Sequence, residues 1–169
     1  MGKLRFYHIR EGYVEFLHTI DRRVQFNKGQ RRPYVGVVLS IEEHNYYVPL
    51  ESPKPNHVNI KSGGPVLKMD DGKLGIMGFN NMIPVRNFHL IEFDIQAEPD
   101  EQYRALLQNQ LAFCEKNKKV IFARAETTYR KATDGKNSFY RKTCCNFKRL
   151  EEHYDKYKVK RPARQSKVK

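Results

Sequence analysis

Hydrophobic positions change their period near residue 99. Before it they alternate or run together; after it they recur every three or four residues. Lys3 to Ile9 alternates polar and apolar side chains and predicts a short strand. Tyr13, Phe16, Leu17, Ile20 and Val24 share one helical face and predict an amphipathic helix. Gln25 to Arg32 is polar and basic and reads as a loop. Tyr34 to Ile41 is a β-branched run broken by Gly36. It turns at Glu42 to Asn45 and returns as Tyr46 to Leu50, a hairpin. Val66–Met69 and Leu74–Phe79 flank Asp70-Asp71-Gly72-Lys73, the turn of a second hairpin. Phe88 to Ile95 predicts one more strand, ended by the turn at Pro99. Helical spacing then holds for Tyr103, Leu106, Leu107, Gln110, Leu111 and Cys114, and for Ile121, Ala125, Thr128, Tyr129 and Ala132. It returns for Phe147, Leu150, Tyr154 and Tyr157. Strands first and helices later predict an α+β domain: a mostly antiparallel sheet with about four helices.

Charge changes this picture. The chain has 169 residues, enough for one domain with a real core, and a net charge of +13. Such an excess points to a polyanionic partner, nucleic acid first. No apolar run reaches the roughly 18 residues of a membrane span. Met1-Gly2-Lys3-Leu4-Arg5 does not open a signal peptide. A cytoplasmic protein with no membrane partner is expected. Cys114, Cys144 and Cys145 fit neither a disulfide framework nor a zinc-ligand spacing, so reduced thiols are expected. Asp70-Asp71 and Glu42-Glu43 sit in expected hairpin turns, where acidic residues are common. No metal or cofactor is implied. Residues 1–157 read as the domain. Residues 158–169 read as a basic flexible tail, either solvated or touching phosphates.

Candidate chemistry concentrates in Tyr47-Val48-Pro49-Leu50-Glu51-Ser52-Pro53-Lys54-Pro55-Asn56-His57. An apolar strand runs into a loop that gathers a hydroxyl, an ammonium and an imidazole between prolines. Proline restricts the backbone, so the loop is partly preorganised. Ser52 can donate to a phosphate oxygen, although a turn serine is the plainer alternative. Lys54 supplies a compact positive charge. His57 suits acid–base work, but an exposed loop histidine is weighed slightly above that role. Lys28, Arg31 and Arg32 crowd the earlier basic loop. Lys116, Lys118 and Lys119 mark the join between two helices. Lys136, Arg141 and Lys142 sit with Phe139 and Tyr140 in an expected loop. Basic residues interleaved with aromatics suit unpaired RNA, though a charge run is as often a solvated face.

Five blocks, in order, resemble the ToxN/AbiQ family of endoribonuclease toxins from type III toxin–antitoxin and abortive-infection systems. Phe6-Tyr7 with Tyr13-Val14-Glu15-Phe16-Leu17 and Asp21 resembles the family's opening strand and helix. Arg32-Pro33-Tyr34-Val35-Gly36-Val37 is similar to its second strand. Tyr47 to Lys54 resembles its "PLTSPK" segment. Leu74-Gly75 with Asn80-Asn81-Met82-Ile83-Pro84-Val85 resembles "NNMIPV", and Cys144 to Glu152 resembles "CNFxxLEE". The resemblance runs from Met1 to about Tyr157.

The resemblance implies a strongly curved, small-barrel-like antiparallel sheet wrapped by helices. It implies a metal-independent ribonuclease that cuts RNA through its own 2′-hydroxyl and leaves 2′,3′-cyclic phosphate and 5′-hydroxyl ends. The implied partners are a small pseudoknotted RNA antitoxin, processed from a repeated precursor and inhibitory once processed, and cellular or phage RNA. The implied complex is a closed protein–RNA oligomer. Ser52 and Lys54 match the family's active-site serine and lysine. Arg32 stands where the family has a basic residue. Tyr13 matches an aromatic near the site, with core packing an equal alternative. One position departs: Glu51 replaces the family's threonine. Its side chain is expected to turn away from the scissile phosphate; acting as a base or pairing with Lys54 or Arg32 are the alternatives. A noncatalytic RNA-binding module and a basic protein-interaction domain remain the competing readings.

Overall fold

The computed structural model describes residues 2–159. Most of the expected basic tail, residues 160–169, lies outside them. The order of elements follows the change of period. β1 (Arg5–Ile9) is followed by α1 (Glu11–Ile20), then by the hairpin β2 (Tyr34–Ile41) and β3 (His44–Glu51). β4 (Val66–Lys68) and β5 (Ile76–Gly78) form the second hairpin, and β6 (Ile83–Pro84) and β7 (Leu90–Glu92) complete the sheet. Helices follow: α2 (Glu101–Lys116), α3 (Lys118–Thr133), α4 (Ser138–Thr143) and α5 (Phe147–His153).

All strand pairings are antiparallel, in the order β4-β5-β3-β2-β1-β7. The sheet is not closed. β3 is its axis. Its Tyr46 and Tyr47 pair with β6, while its Leu50 and Glu51 pair with β5. Pro49 falls between those two pairings, where a residue with no N–H is tolerated. Tyr46, Tyr47, Val48 and Leu50 are all buried, so this strand reads as an apolar run rather than an alternation.

Three expectations shift. The first helix ends at Ile20, short of Val24, because the Asp21 carboxylate offers the backbone another partner. It accepts from the Arg23 N–H at 3.0 Å, from the Arg23 guanidinium at 2.9 and 3.0 Å, and from the Asn146 N–H at 2.6 Å. Val24 is buried all the same. The strand expected over Phe88–Ile95 shrinks to three residues between single 3₁₀ turns. The supposed loop around Phe139 is helix α4, N-capped by the Asn137 side chain, which accepts from the Tyr140 N–H at 3.1 Å. Lys136 precedes that helix; Arg141 and Lys142 form its last turn.

α3 packs on β2, and α5 packs on α1 and β6. The seam is tied by Glu151, whose Oε1 accepts from Tyr46 and from Tyr129, each at 2.7 Å. Lys148 stands 3.6 Å from its other oxygen. Cys114, Cys144 and Cys145 are buried and unpaired with one another. Among the described residues no helix is long and apolar enough to cross a membrane.

Candidate active site

β3 ends at Glu51, and the chain leaves the sheet as Ser52-Pro53-Lys54. It then makes one 3₁₀ turn, Pro55–Asn59. Two reciprocal bonds lock that exit. The His57 N–H donates to the Lys54 carbonyl at 3.0 Å, and the Lys54 N–H donates to His57 Nδ1 at 3.2 Å. Nδ1 must therefore carry a lone pair, which leaves the ring proton on Nε2. His57 is only 2% exposed. The exposed loop histidine expected from sequence is thus a buried clamp. Ser52 and Lys54 are exposed on the loop it holds.

The Glu51 side chain does not turn away from this corner. The Lys54 ammonium donates to its Oε1, and His57 Nε2 lies 3.9 Å from its Oε2. Partial burial alone would raise the Glu51 carboxyl. The Lys54 hydrogen bond and charge, with Arg32 behind them, outweigh it and hold the carboxyl below its ordinary range. Glu51 is therefore an anion at neutral pH. Gly75 presses on its backbone. It adopts φ +95°, and a Cβ there would fall 1.9 Å from the Glu51 carbonyl oxygen. Only glycine meets both demands.

Arg32 is 8% exposed. Its Nε donates to the Phe26 carbonyl at 3.1 Å and its Nη1 to the Leu50 carbonyl at 3.3 Å. It joins the basic loop to the end of β3. Lys28, Gly29 and Gln30 all have positive φ, an unusual conformation for the two that are not glycine. The loop is braced at both ends. The Asn27 carbonyl accepts from the Arg31 and Arg32 N–H groups, the Asn27 amide donates to the Ile9 carbonyl, and Gln30 accepts from the Glu11 N–H. Burial, then the neighbouring charges of Arg32, Lys54 and Arg31, pushes the Lys28 ammonium down.

A cleft of about 450 Å³ opens beside this corner. Ser52, Lys28, Arg31 and Arg32 line it, together with His8, Phe93, Glu98, Asp100 and Tyr103. Sequence reasoning missed that second group. The turn at Pro99 was its only signal.

The remaining expected residues scatter. Tyr13 is fully buried. Its hydroxyl donates to the Pro84 carbonyl at 2.5 Å and its ring stacks on His89 at 4.3 Å. It is a core residue and does not line the cleft. Lys116, Lys118 and Lys119 line a separate hollow at the α2–α3 join. Lys136, Arg141 and Lys142 are exposed. α4 connects back toward the basic loop through Arg23, whose Nη1 donates to the Arg141 carbonyl at 2.9 Å.

A family model described as toxin ToxN of type III toxin–antitoxin systems matches residues 5–155. The chain is 32% identical over 170 residues to the endoribonuclease ToxN of Bacillus thuringiensis subsp. kurstaki, covering 95% of this chain and 88% of that one. It is similar to a structure solved for a bacterial type III system with selective toxin inhibition by a non-coding RNA pseudoknot. The TM-score is 0.78 at 32% identity, over 92% of this chain and 98% of that one. It is also similar to the structure of AbiQ, a lactococcal anti-phage endoribonuclease of the same class of system, with TM-score 0.76 at 27% identity over 92% and 98%.

Proposed function

Because the chain belongs to the ToxN family of type III toxin–antitoxin toxins, we propose that it is a metal-independent endoribonuclease. Its partner is a small pseudoknotted RNA, which it cuts from a repeated precursor and which then inhibits it in a closed protein–RNA assembly. Cellular or phage RNA is its other substrate. The observation that carries this reading is the exposed pair Ser52 and Lys54 on an exit loop locked by buried His57, with Ser52 lining a cleft that Lys28, Arg31 and Arg32 also line.

The 2′-hydroxyl gives up its proton to water as its oxygen attacks phosphorus, the bond to the 5′-oxygen breaks, and the leaving 5′-oxygen takes a proton from the Lys54 ammonium, which solvent then reprotonates. Ser52 donates to a non-bridging oxygen. Lys54 neutralises charge as the phosphorane forms and stands ready to protonate the leaving oxygen. Glu51 keeps Lys54 in place until the phosphate arrives and displaces its carboxylate. Arg32 spends two donors on backbone carbonyls, so it braces the loop and contributes charge rather than forming a bidentate clamp. DNA lacks the nucleophile and stays uncut.

The test is incubation with structured RNA in excess EDTA. Cleavage to 2′,3′-cyclic phosphate and 5′-hydroxyl ends is expected, and its loss in Ser52→Ala and Lys54→Ala. Cleavage that stops with EDTA and returns with Mg²⁺ would overturn the metal-free mechanism. Binding without cleavage would indicate the noncatalytic RNA-binding module.

A further inference from the structure

The Glu51 carboxylate lies between two donors and is bonded to one. Its Oε1 accepts from the Lys54 ammonium. Its Oε2 lies 3.9 Å from His57 Nε2, about 1 Å beyond an ordinary hydrogen bond. The Lys54 N–H takes the lone pair of Nδ1, so Nε2 carries the ring proton and is a donor. His57 cannot close the gap itself. It is 2% exposed, and both its backbone N–H and its Nδ1 are tied to Lys54, at 3.0 and 3.2 Å. Gly72, in the turn of the second hairpin, backs it: a Cβ there would fall 3.4 Å from the His57 Cβ. Glu51 can move. Its side chain is 22% exposed, and its carboxylate turns on rotatable bonds.

We propose that the His57 Nε2–H is a second seat for the Glu51 carboxylate. An arriving phosphate takes Lys54, the carboxylate swings to His57, and His57 is thereby a positioning residue that sets how easily substrate enters. The proposal rests on the ribonuclease reading and deepens it. Two anions on one ammonium repel each other. A half-buried carboxylate stripped of its partner is costly unless another donor receives it. A neutral N–H receives it without adding a cation that would compete for the phosphate. Arg32, the other cation beside Glu51, has Nε and Nη1 engaged with the Phe26 and Leu50 carbonyls.

His57→Asn keeps an acceptor where Nδ1 stands and removes the Nε2 donor. It should raise KM for structured RNA about tenfold, the effect of one hydrogen bond to a charged group, with a smaller change in kcat. In the Glu51→Thr background there is no carboxylate to reseat, and the same change should move KM less than about twofold. The seat is also read with His57 in place. Protein labelled with nitrogen-15 histidine is titrated with a short 2′-O-methyl oligonucleotide, which cannot be cut through the 2′-oxygen. The His57 Nε2 proton should move downfield and exchange more slowly with water, and should do neither in Glu51→Thr. An unmoved signal, a shift that survives Glu51→Thr, or an equal KM penalty in both backgrounds would overturn the proposal. If circular dichroism shows that His57→Asn fails to fold, the titration decides alone. A moved signal without cleavage of ordinary RNA by the wild type would sink the ribonuclease reading and leave the seat standing. Cleavage with an unmoved signal would do the reverse.

Discussion

β3 carries a carboxylate-centred network at each end, and the two are built for opposite purposes. At its start, Glu151 receives the hydroxyls of Tyr46 and Tyr129 in the seam between sheet and helices. At its end, Glu51 receives the Lys54 ammonium, with His57 behind it. Neutral hydroxyl donors in a buried seam have nowhere else to go, so the Glu151 network locks elements together. Burial and the bond to Glu151 push the Tyr46 phenol far up. Lys54 is half exposed and can trade its carboxylate for another anion. The same acceptor is therefore a fastener at one end and a placeholder at the other.

The comparison breaks or sharpens under substitution. The largest effect belongs to Lys54→Ala. It should lower single-turnover cleavage by about 10²–10³ with the melting temperature unchanged, as expected for loss of a transition-state donor. A variant with wild-type cleavage would remove Lys54 from the chemistry. Glu151→Ala should act on the other axis. It strands two hydroxyls and should cost about 2–4 kcal/mol in denaturant titrations, while cleavage per folded molecule stays near wild type. Stability within about 0.5 kcal/mol of wild type would contradict the fastener role. Glu51→Thr comes next. It removes both the holder of Lys54 and a rival for the phosphate, two opposed effects, so the rate should stay within about tenfold. A hundredfold loss with the fold intact by circular dichroism would make Glu51 part of the catalytic machinery.

The smallest effect is a pH signature. The Glu51 carboxyl is held below its ordinary value of 4.5 when folded. Its contribution to stability is therefore complete above that value and fades as pH falls through the lower folded one. Wild type should exceed Glu51→Gln in stability at pH 6, and the gap should close on acidification toward pH 3. Urea midpoints for both proteins, taken across that range, check the sign. A gap that widens in acid would mean the carboxyl is raised, not lowered.

Much of this was legible in the chain, and the failures have physical causes. Periodicity located both hairpins and the long helices α2 and α3, because each buries one regular face. It overran α1, since Val24 is buried but Asp21 redirects the backbone before it. It missed α4, where only Tyr140 is buried and the cap residue Asn137 carries the signal. At the candidate site, the proline-bracketed segment located Ser52 and Lys54. It could not show that His57 folds back under them, because that depends on two bonds within one turn. The acidic and aromatic lining of the cleft comes from β1, the stretch after β7, and the start of α2. Nothing local in the sequence joins residues 8, 93, 98 and 103.

The bond between Tyr46 and Glu151 joins residues 105 positions apart, and it sets a clock. Ribosomes make a chain in order, and contacts this distant form late. When Ser52 and Lys54 emerge, the strand that supports them has neither α3 to cover it nor α5 to receive its tyrosine. The helix that secures the axis of the sheet is translated about a hundred residues after Ser52 and Lys54, and after everything it secures.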